Sequence, residues 1–168
     1  MSAESITTAL FLITAVVASA VLINAVYPVI SNMAGTFSST THESDVQIRT
    51  DFKIIATYAS GSSGTAQIWM KNIGSEQISL LDIQRADVFG GATGSFNHLA
   101  HSGGTLGDNQ WAETFTNPEY DLNGNQYWDP GETVKVTFKT TIPSTGNKVY
   151  FQFALPDGIW RSTEFTVS

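Results

Sequence analysis

From Ser5 to His42 the chain carries no formally charged side chain. Inside that span, Ile6–Asn24 reads Ile-Thr-Thr-Ala-Leu-Phe-Leu-Ile-Thr-Ala-Val-Val-Ala-Ser-Ala-Val-Leu-Ile-Asn, apolar and long enough to cross a bilayer as a helix. Its apolar residues lie on every side at 3.6-residue spacing, the pattern of a helix buried all round. Ala9, Ala15, Ala18, Ala20 and Ala25 let neighbouring helices approach closely. Thr7, Thr8, Thr14 and Ser19 are placed to return their hydroxyls to a carbonyl one turn earlier. Pro28 has no N–H to donate, so a kink or break is expected there. Beyond it Ser31–His42 is polar but uncharged, and Ile30, Met33 and Phe37 keep helical spacing. A single helix over residues 4–46 is about 65 Å long, well beyond what a plain anchor needs. Such a segment belongs in lipid or in a core built by other copies of the chain.

After this segment the period changes from helical to alternating. Asp51–Tyr58, Thr65–Lys71, Ile78–Gln84, Ala86–Phe89, Thr133–Thr140, Lys148–Ala154 and Trp160–Val167 read as strands, separated by Gly-, Pro- and Ser-rich turns such as Ser60–Gly64 and Pro156-Asp-Gly158. Val134, Val136 and Phe138 share one strand face, as do Val149, Phe151 and Phe153. Gly90–Asn117 shows no periodicity and reads as a long surface loop. The predicted fold class is α+β: a long N-terminal hydrophobic α-helix followed by an antiparallel β-sandwich, immunoglobulin-like in strand number and length. The domains implied are residues 1–48, the hydrophobic helix, and 49–168, the sandwich.

Charge sharpens the division. All eight Lys and Arg follow position 48, and every Asp and Glu but Glu4 follows His42. The formal net charge of −7 argues against a nucleic-acid partner, which needs a basic footprint. The chain has no cysteine, which excludes disulfides, thiolate metal sites and thiol nucleophiles. The N-terminus lacks the basic n-region and short apolar core of a cleaved secretory signal, so a retained helix is expected.

One segment has metal-ligand spacing. In Asp121-Leu-Asn-Gly-Asn-Gln-Tyr-Trp-Asp-Pro-Gly-Glu132, residues Asp121, Asn123, Asn125, Tyr127, Asp129 and Glu132 fall at positions 1, 3, 5, 7, 9 and 12 of a calcium loop. Tyr127 would contribute its backbone carbonyl and Glu132 both carboxylate oxygens. The glycine of position 6 is replaced by Gln126, and no helix pattern flanks the loop, so this is not an EF-hand proper. The competing reading is an Asp/Asn-rich turn. The expectation carried forward is a structural Ca2+ that stiffens the entry to the Thr133 strand. His98 and His101 form an H-x-x-H pair without a third ligand nearby and read as solvated loop histidines. Trp69, Trp111, Trp128 and Trp160 read as core or interface aromatics. No nucleophile elbow or phosphate-cradling loop is present, and an enzyme is not expected.

Together, the N-terminal acid, the uncharged run Ile6–Ile30 with its Ala18-Ser-Ala-Val-Leu-Ile-Asn24 phrase, and the sandwich behind it resemble the archaeal type IV pilin-like superfamily. In particular they resemble the archaellins (archaeal flagellins) and the related archaellum proteins F and G. The glycine-bearing start common in archaellins is replaced by Ser2-Ala-Glu-Ser. Arg49–Ile55 and Trp69–Ser75 are at least as similar to protein G. The resemblance implies a structural subunit of an archaeal motility filament, made with a basic leader cut by a prepilin-type peptidase. Such a subunit resides in the cytoplasmic membrane before assembly, and the archaellum platform and motor proteins bring it into a cell-surface, extracellular filament. Self-association would run through Ile6, Leu10, Ile13, Val17, Val21 and Ile23. Two alternatives stay open: a stator component of the protein G type forming periplasmic filaments, and a membrane-anchored β-sandwich that binds a ligand.

Overall fold

The computed structural model describes residues 2–115 and 119–168. It divides into two compact units, Met1–Ser44 and Asp45–Ser168. The first is helix from Ser2 onward, and the helix, α1 (Ser2–Arg49), ends with its last turn in the second unit. The predicted hydroxyl back-bonds are present: Thr7 to Ala3 O and Thr8 to Glu4 O at 2.9 Å, Thr14 to Leu10 O and Ser19 to Ala15 O at 2.8 Å. These satisfy every hydroxyl inside the apolar stretch without a partner helix. α1 runs through Pro28 without a break. A proline forfeits one N–H bond, and the turns on either side hold the backbone in register.

The second unit contains β1 (Phe52–Ser60), β2 (Thr65–Asn72), β3 (Ile78–Ser79), α2 (Leu80–Gln84), β4 (Asp87–Ala92), β5 (Ser95–His101), β6 (Gln110–Thr114), β7 (Tyr127–Trp128), β8 (Thr133–Lys139), β9 (Lys148–Ala154) and β10 (Trp160–Thr166). Eight strands join in the order β1-β2-β8-β6-β5-β4-β9-β10, and β3 pairs with β7 separately. All ladders are antiparallel except β5–β6, a short parallel bridge pairing Ala100 with Gln110 and His101 with Trp111. That bridge joins the two layers of the expected sandwich into one sheet that nearly closes on itself. At the remaining seam the Ser168 N–H donates to Ala59 O at 3.0 Å, and Arg161 pairs with Asp51. The class is α+β, a long apolar helix followed by a mostly antiparallel, barrel-like sheet.

Alternation builds the core. Val134, Val136 and Phe138 of β8 and Val149, Phe151 and Phe153 of β9 are fully buried and face each other across it. Phe138 stacks on Phe151 at 5.7 Å, while Phe153 meets Phe52 edge-on at 5.6 Å and Trp111 at 6.0 Å. Trp128 is buried beside Phe52 and donates its indole N–H to Glu132 O at 2.9 Å.

Two readings of strand and loop are corrected. Ile78–Gln84 is not one strand: after two residues the chain turns into α2, capped by Ser79, whose Oγ accepts the Asp82 N–H at 3.1 Å. Ser79-Leu-Leu-Asp82 is a capping-box pattern that outweighs the β-rich composition around it. Nor is Gly90–Asn117 a surface loop over its described part, 90–115, which supplies the end of β4 and all of β5 and β6; residues 116 and 117 lie outside the described residues. Its alternation is hidden because Gly90 stands where a core side chain is expected: a Cβ there would lie 2.8 Å from the Phe138 ring. On β5 only Leu99 is buried, so the strand shows no apolar rhythm.

Candidate functional site: the apolar helix and the Asp121–Glu132 loop

The six helix positions expected to carry assembly are all uncovered. Ile6, Leu10, Ile13, Val17, Val21 and Ile23 range only from 56% exposed at Val17 to 65% at Ile23. Ile6, Leu10, Ile13, Val17 and Val21 follow one another at steps of three and four and share one face of α1, and Ile23 lies outside it. The stretch Ala3–Thr36 is long and apolar enough to cross a membrane. Small residues create relief on this surface. Ala15, Ser19 and Ala20, walled by Leu12, Val16 and Ile23, form a shallow groove of about 420 Å³ that can receive side chains of another helix. This groove was not anticipated as a unit, although its alanines were.

At the other end of α1 the helix is tied into the β unit. Arg49 O accepts the Ser75 N–H at 2.9 Å and the Glu76 N–H at 3.2 Å. Its guanidinium reaches Asp45 at 3.4 Å and Glu76 at 3.3 Å, and the Gln47 amide donates to Asp157 O at 2.8 Å. The final turn of α1 is therefore anchored to the β-domain by backbone and side-chain bonds together.

The 121–132 loop brings its predicted residues together around its own backbone. Asp121 accepts from the Gly124 N–H at 2.7 Å and the Gln126 N–H at 3.0 Å, and Glu132 from Leu122 N–H at 2.8 Å and Asp129 N–H at 3.0 Å. Asn123 Oδ1 caps Asn125 N–H at 3.0 Å and Asn125 Oδ1 caps Tyr127 N–H at 2.8 Å, while both amide nitrogens donate to Asp129 Oδ2, at 2.6 and 3.0 Å. Asp121 and Glu132 are buried, 4% and 6% exposed, with backbone N–H groups as their partners. Gly124 and Gln126 both have positive φ, at 73° and 64°. Gln126 thus holds a left-handed conformation where a calcium loop places glycine. Among the described residues no group of three or more His, Asp or Glu is arranged to hold a metal ion. Any cation here would draw on carboxylate and amide oxygens that now serve the turn.

His98 and His101 lie on β5 rather than in a loop. Three apart on a strand, they point to opposite faces and cannot share a zinc ion. His98 meets Asp87 at 3.1 Å, and His101 meets Glu113 at 2.6 Å, with Gln84 donating to the other Glu113 oxygen at 2.8 Å. Of the four tryptophans, Trp111 and Trp128 are core residues and Trp160 is exposed. Sequence reasoning passed over Asn72, which is fully buried and joins three segments; a lone Asn at a strand end gives no signal of that role.

An exposed apolar helix leading into a small β-domain matches a known pattern over nearly the whole chain: the model of archaeal-type flagellin fits residues 2–165. The chain belongs to the archaeal-type flagellin family. A relative, an uncharacterized protein of Archaeoglobus fulgidus, is 30% identical over 138 residues, covering 81% of this chain and 80% of the relative. Among solved structures, the archaeal flagellum of Methanospirillum hungatei strain JF1 is similar at a TM-score of 0.61 and 19% identity, covering 98% of this chain and 92% of that one. The archaellum periplasmic stator protein FlaG of Sulfolobus acidocaldarius is similar at a TM-score of 0.53 and 24% identity, covering 69% of this chain and 99% of that one. At these identities both likenesses concern the fold. The archaeal-type flagellin family is structural rather than enzymatic, which agrees with the absence of a catalytic motif from this sequence.

Proposed function

We propose that this archaeal-type flagellin is a structural subunit of an archaellum filament, polymerising through α1 with the β-domain outside. The observation that carries the reading is the helix itself. Its described residues from Ala3 to Thr36 hold one charge, Glu4, and their apolar side chains stand exposed in the single chain. Lipid satisfies such a helix before assembly, and the helices of other copies satisfy it afterwards. A contact between unlike faces of successive copies does not close a ring and extends into a helical polymer. A charge within that core would be buried against another subunit, at a cost of several kcal/mol per ion in round terms (~3 or more). The chain would thus occupy the cytoplasmic membrane first and the cell-surface filament later, handed between them by the archaellum platform and motor after a prepilin-type peptidase has acted.

A second reading, a stator component forming filaments in the periplasm, is supported by the likeness of the β-domain to FlaG. A membrane-anchored binding module is the third, and it leaves the uncharged residues beyond Ile30 without a role. Electron microscopy of sheared surface filaments, with mass spectrometry of their subunits, separates the three. Absence of this chain from those filaments would refute the first. Val17→Asp should abolish polymerisation while the β-domain stays folded, and filaments of normal length from that variant would overturn the role given to α1.

We also propose a structural Ca2+ in the 121–132 loop, held by Asp121, Asn123, Asn125, Tyr127, Asp129 and Glu132. The support is the ligand spacing and the burial of the two end carboxylates. A melting temperature unmoved by excess chelator and by added calcium rules it out.

A further inference from the structure

The solvent face of the β1–β2–β8 layer is basic, in a chain whose formal net charge is −7. Lys71 follows buried Met70, Lys135 lies between buried Val134 and Val136, and Lys53 follows buried Phe52, so all three point outward. Lys53 and Lys71 stand directly opposite each other in the β1–β2 ladder, both exposed. Like charges in that position destabilise a sheet. Lys71 faces Thr133 on β8, which puts Lys135 one diagonal step away; its ammonium lies 5.5 Å from the Tyr120 ring centroid. Among the described residues Arg49, Lys139, Lys148 and Arg161 each have a carboxylate partner. Lys53, Lys71 and Lys135 have none, and Arg85, beyond α2, is the other unpaired cation.

The complementary surface occurs on the same domain. Glu76, Asp82 and Asp157 line a cavity of about 300 Å³ together with Val46, Ile78 and Leu155. Arg49 meets Glu76 at 3.3 Å. Asp82 holds the Ser79 hydroxyl at 2.6 Å, and Asp157 accepts the Ile159 N–H at 3.0 Å, both neutral donors. A cavity with apolar walls and carboxylates suits a lysine, whose methylene stem packs on Ile78 and Leu155 while its ammonium meets the acids.

We infer that these surfaces are the two halves of one contact between copies of this chain: the Lys53–Lys71 pair of one copy docks on the Glu76/Asp82/Asp157 cavity of the next. The contact relieves the lysine–lysine repulsion and supplies the cation that Asp82 and Asp157 lack. Where a copy offers its lysines to one neighbour and its cavity to another, the contact is heterologous and propagates. The inference rests on the proposal that the chain polymerises, and it adds a contact outside the helix. A second copy is favoured over an anionic lipid surface because the matching carboxylates are carried by the chain itself.

Carbodiimide coupling tests this directly, since it joins a lysine amine to a carboxylate with no spacer. Full-length chain is produced in light and 15N-labelled forms in one culture series, mixed before assembly, and coupled both in sheared filaments and in membranes. The expected products are amides from Lys53 or Lys71 to Glu76, Asp82 or Asp157 that combine one light and one heavy peptide. Raising salt from about 0.1 M to about 1 M shortens the screening length from about 10 Å to about 3 Å and should cut their yield at least about threefold. Lys53→Glu/Lys71→Glu and Asp82→Lys/Asp157→Lys should each weaken assembly, and the four changes combined should restore it. Filaments that form without mixed-isotope products overturn the contact and leave the filament reading standing. Products in membranes of cells whose filaments lack the chain support the contact and overturn the filament reading. Absent products, with lysine-dependent binding to phosphatidylglycerol vesicles, overturn the contact in favour of a lipid surface.

Discussion

Asn72 ties three segments of the β-domain together, and its removal has a calculable effect. The side chain is fully buried. Its amide donates to Glu76 O at 2.9 Å and to Trp128 O at 2.8 Å, and its oxygen accepts the Gly74 N–H at 2.9 Å. The backbone joins the same network, with Asn72 N–H to Glu132 O at 3.0 Å and Gly131 N–H to Asn72 O at 2.8 Å. Asn72→Ala keeps the backbone bonds and takes the amide donor from Glu76 O and Trp128 O, while the Gly74 N–H keeps its bond to Asp51 O at 2.8 Å. Each of the two carbonyls left without a donor costs about 1–3 kcal/mol, so the sum is about 2–6 kcal/mol, a large part of a domain's usual stability. For a unit of this size that corresponds to a fall in melting temperature of roughly 6–30 °C. All four tryptophans lie in the β-domain, so tryptophan fluorescence of the full chain in detergent during urea or thermal denaturation reads this unit without interference from α1. Asn72→Asp should be worse than alanine, because it sets a carboxylate against two carbonyl oxygens. A loss under about 1 kcal/mol for alanine, or an aspartate variant more stable than it, would refute the reasoning.

Other outcomes follow from the same packing. In Gly74→Ala the added Cβ would lie 2.3 Å from Arg49 O and 2.6 Å from Asp51 N, both backbone atoms at the root of β1. A loss of about 1–3 kcal/mol is expected by urea titration, and a neutral result would show that this junction yields. Glu132→Gln puts an NH2 group against one of two backbone N–H donors and should cost about 1–3 kcal/mol in the same titration. If calcium occupies the loop, the variant also loses the rise in melting temperature that added calcium gives the parent chain. Val21→Asp, like Val17→Asp, should leave the fluorescence transition unchanged while sedimentable polymer disappears; a shifted transition with polymer intact would reverse the roles assigned to the two units.

How far each part was legible follows from where its physics lies. The helix was readable because its signal is composition over a long run: apolar residues without charge have only lipid or protein as surroundings, whatever the rest of the chain does. β8 and β9 were readable because strict alternation leaves one possible inner face. β5 and the end of β4 were not, because Gly90 leaves its place in the core to the Phe138 ring and β5 buries only Leu99. For the 121–132 loop, the residues and their spacing were plain in the sequence, but not that their oxygens turn inward onto the loop's own N–H groups.

The sequence by itself determined that the chain has an apolar helix needing partners and an antiparallel β-domain, since both are periodic properties that each residue carries locally. Only the tertiary structure decided which strands are neighbours, that a two-residue parallel bridge joins the layers into one sheet, and that Lys53 faces Lys71 across a ladder. Those facts depend on pairing between distant residues. The sequence records such pairing only through the side chains that meet once the chain has folded.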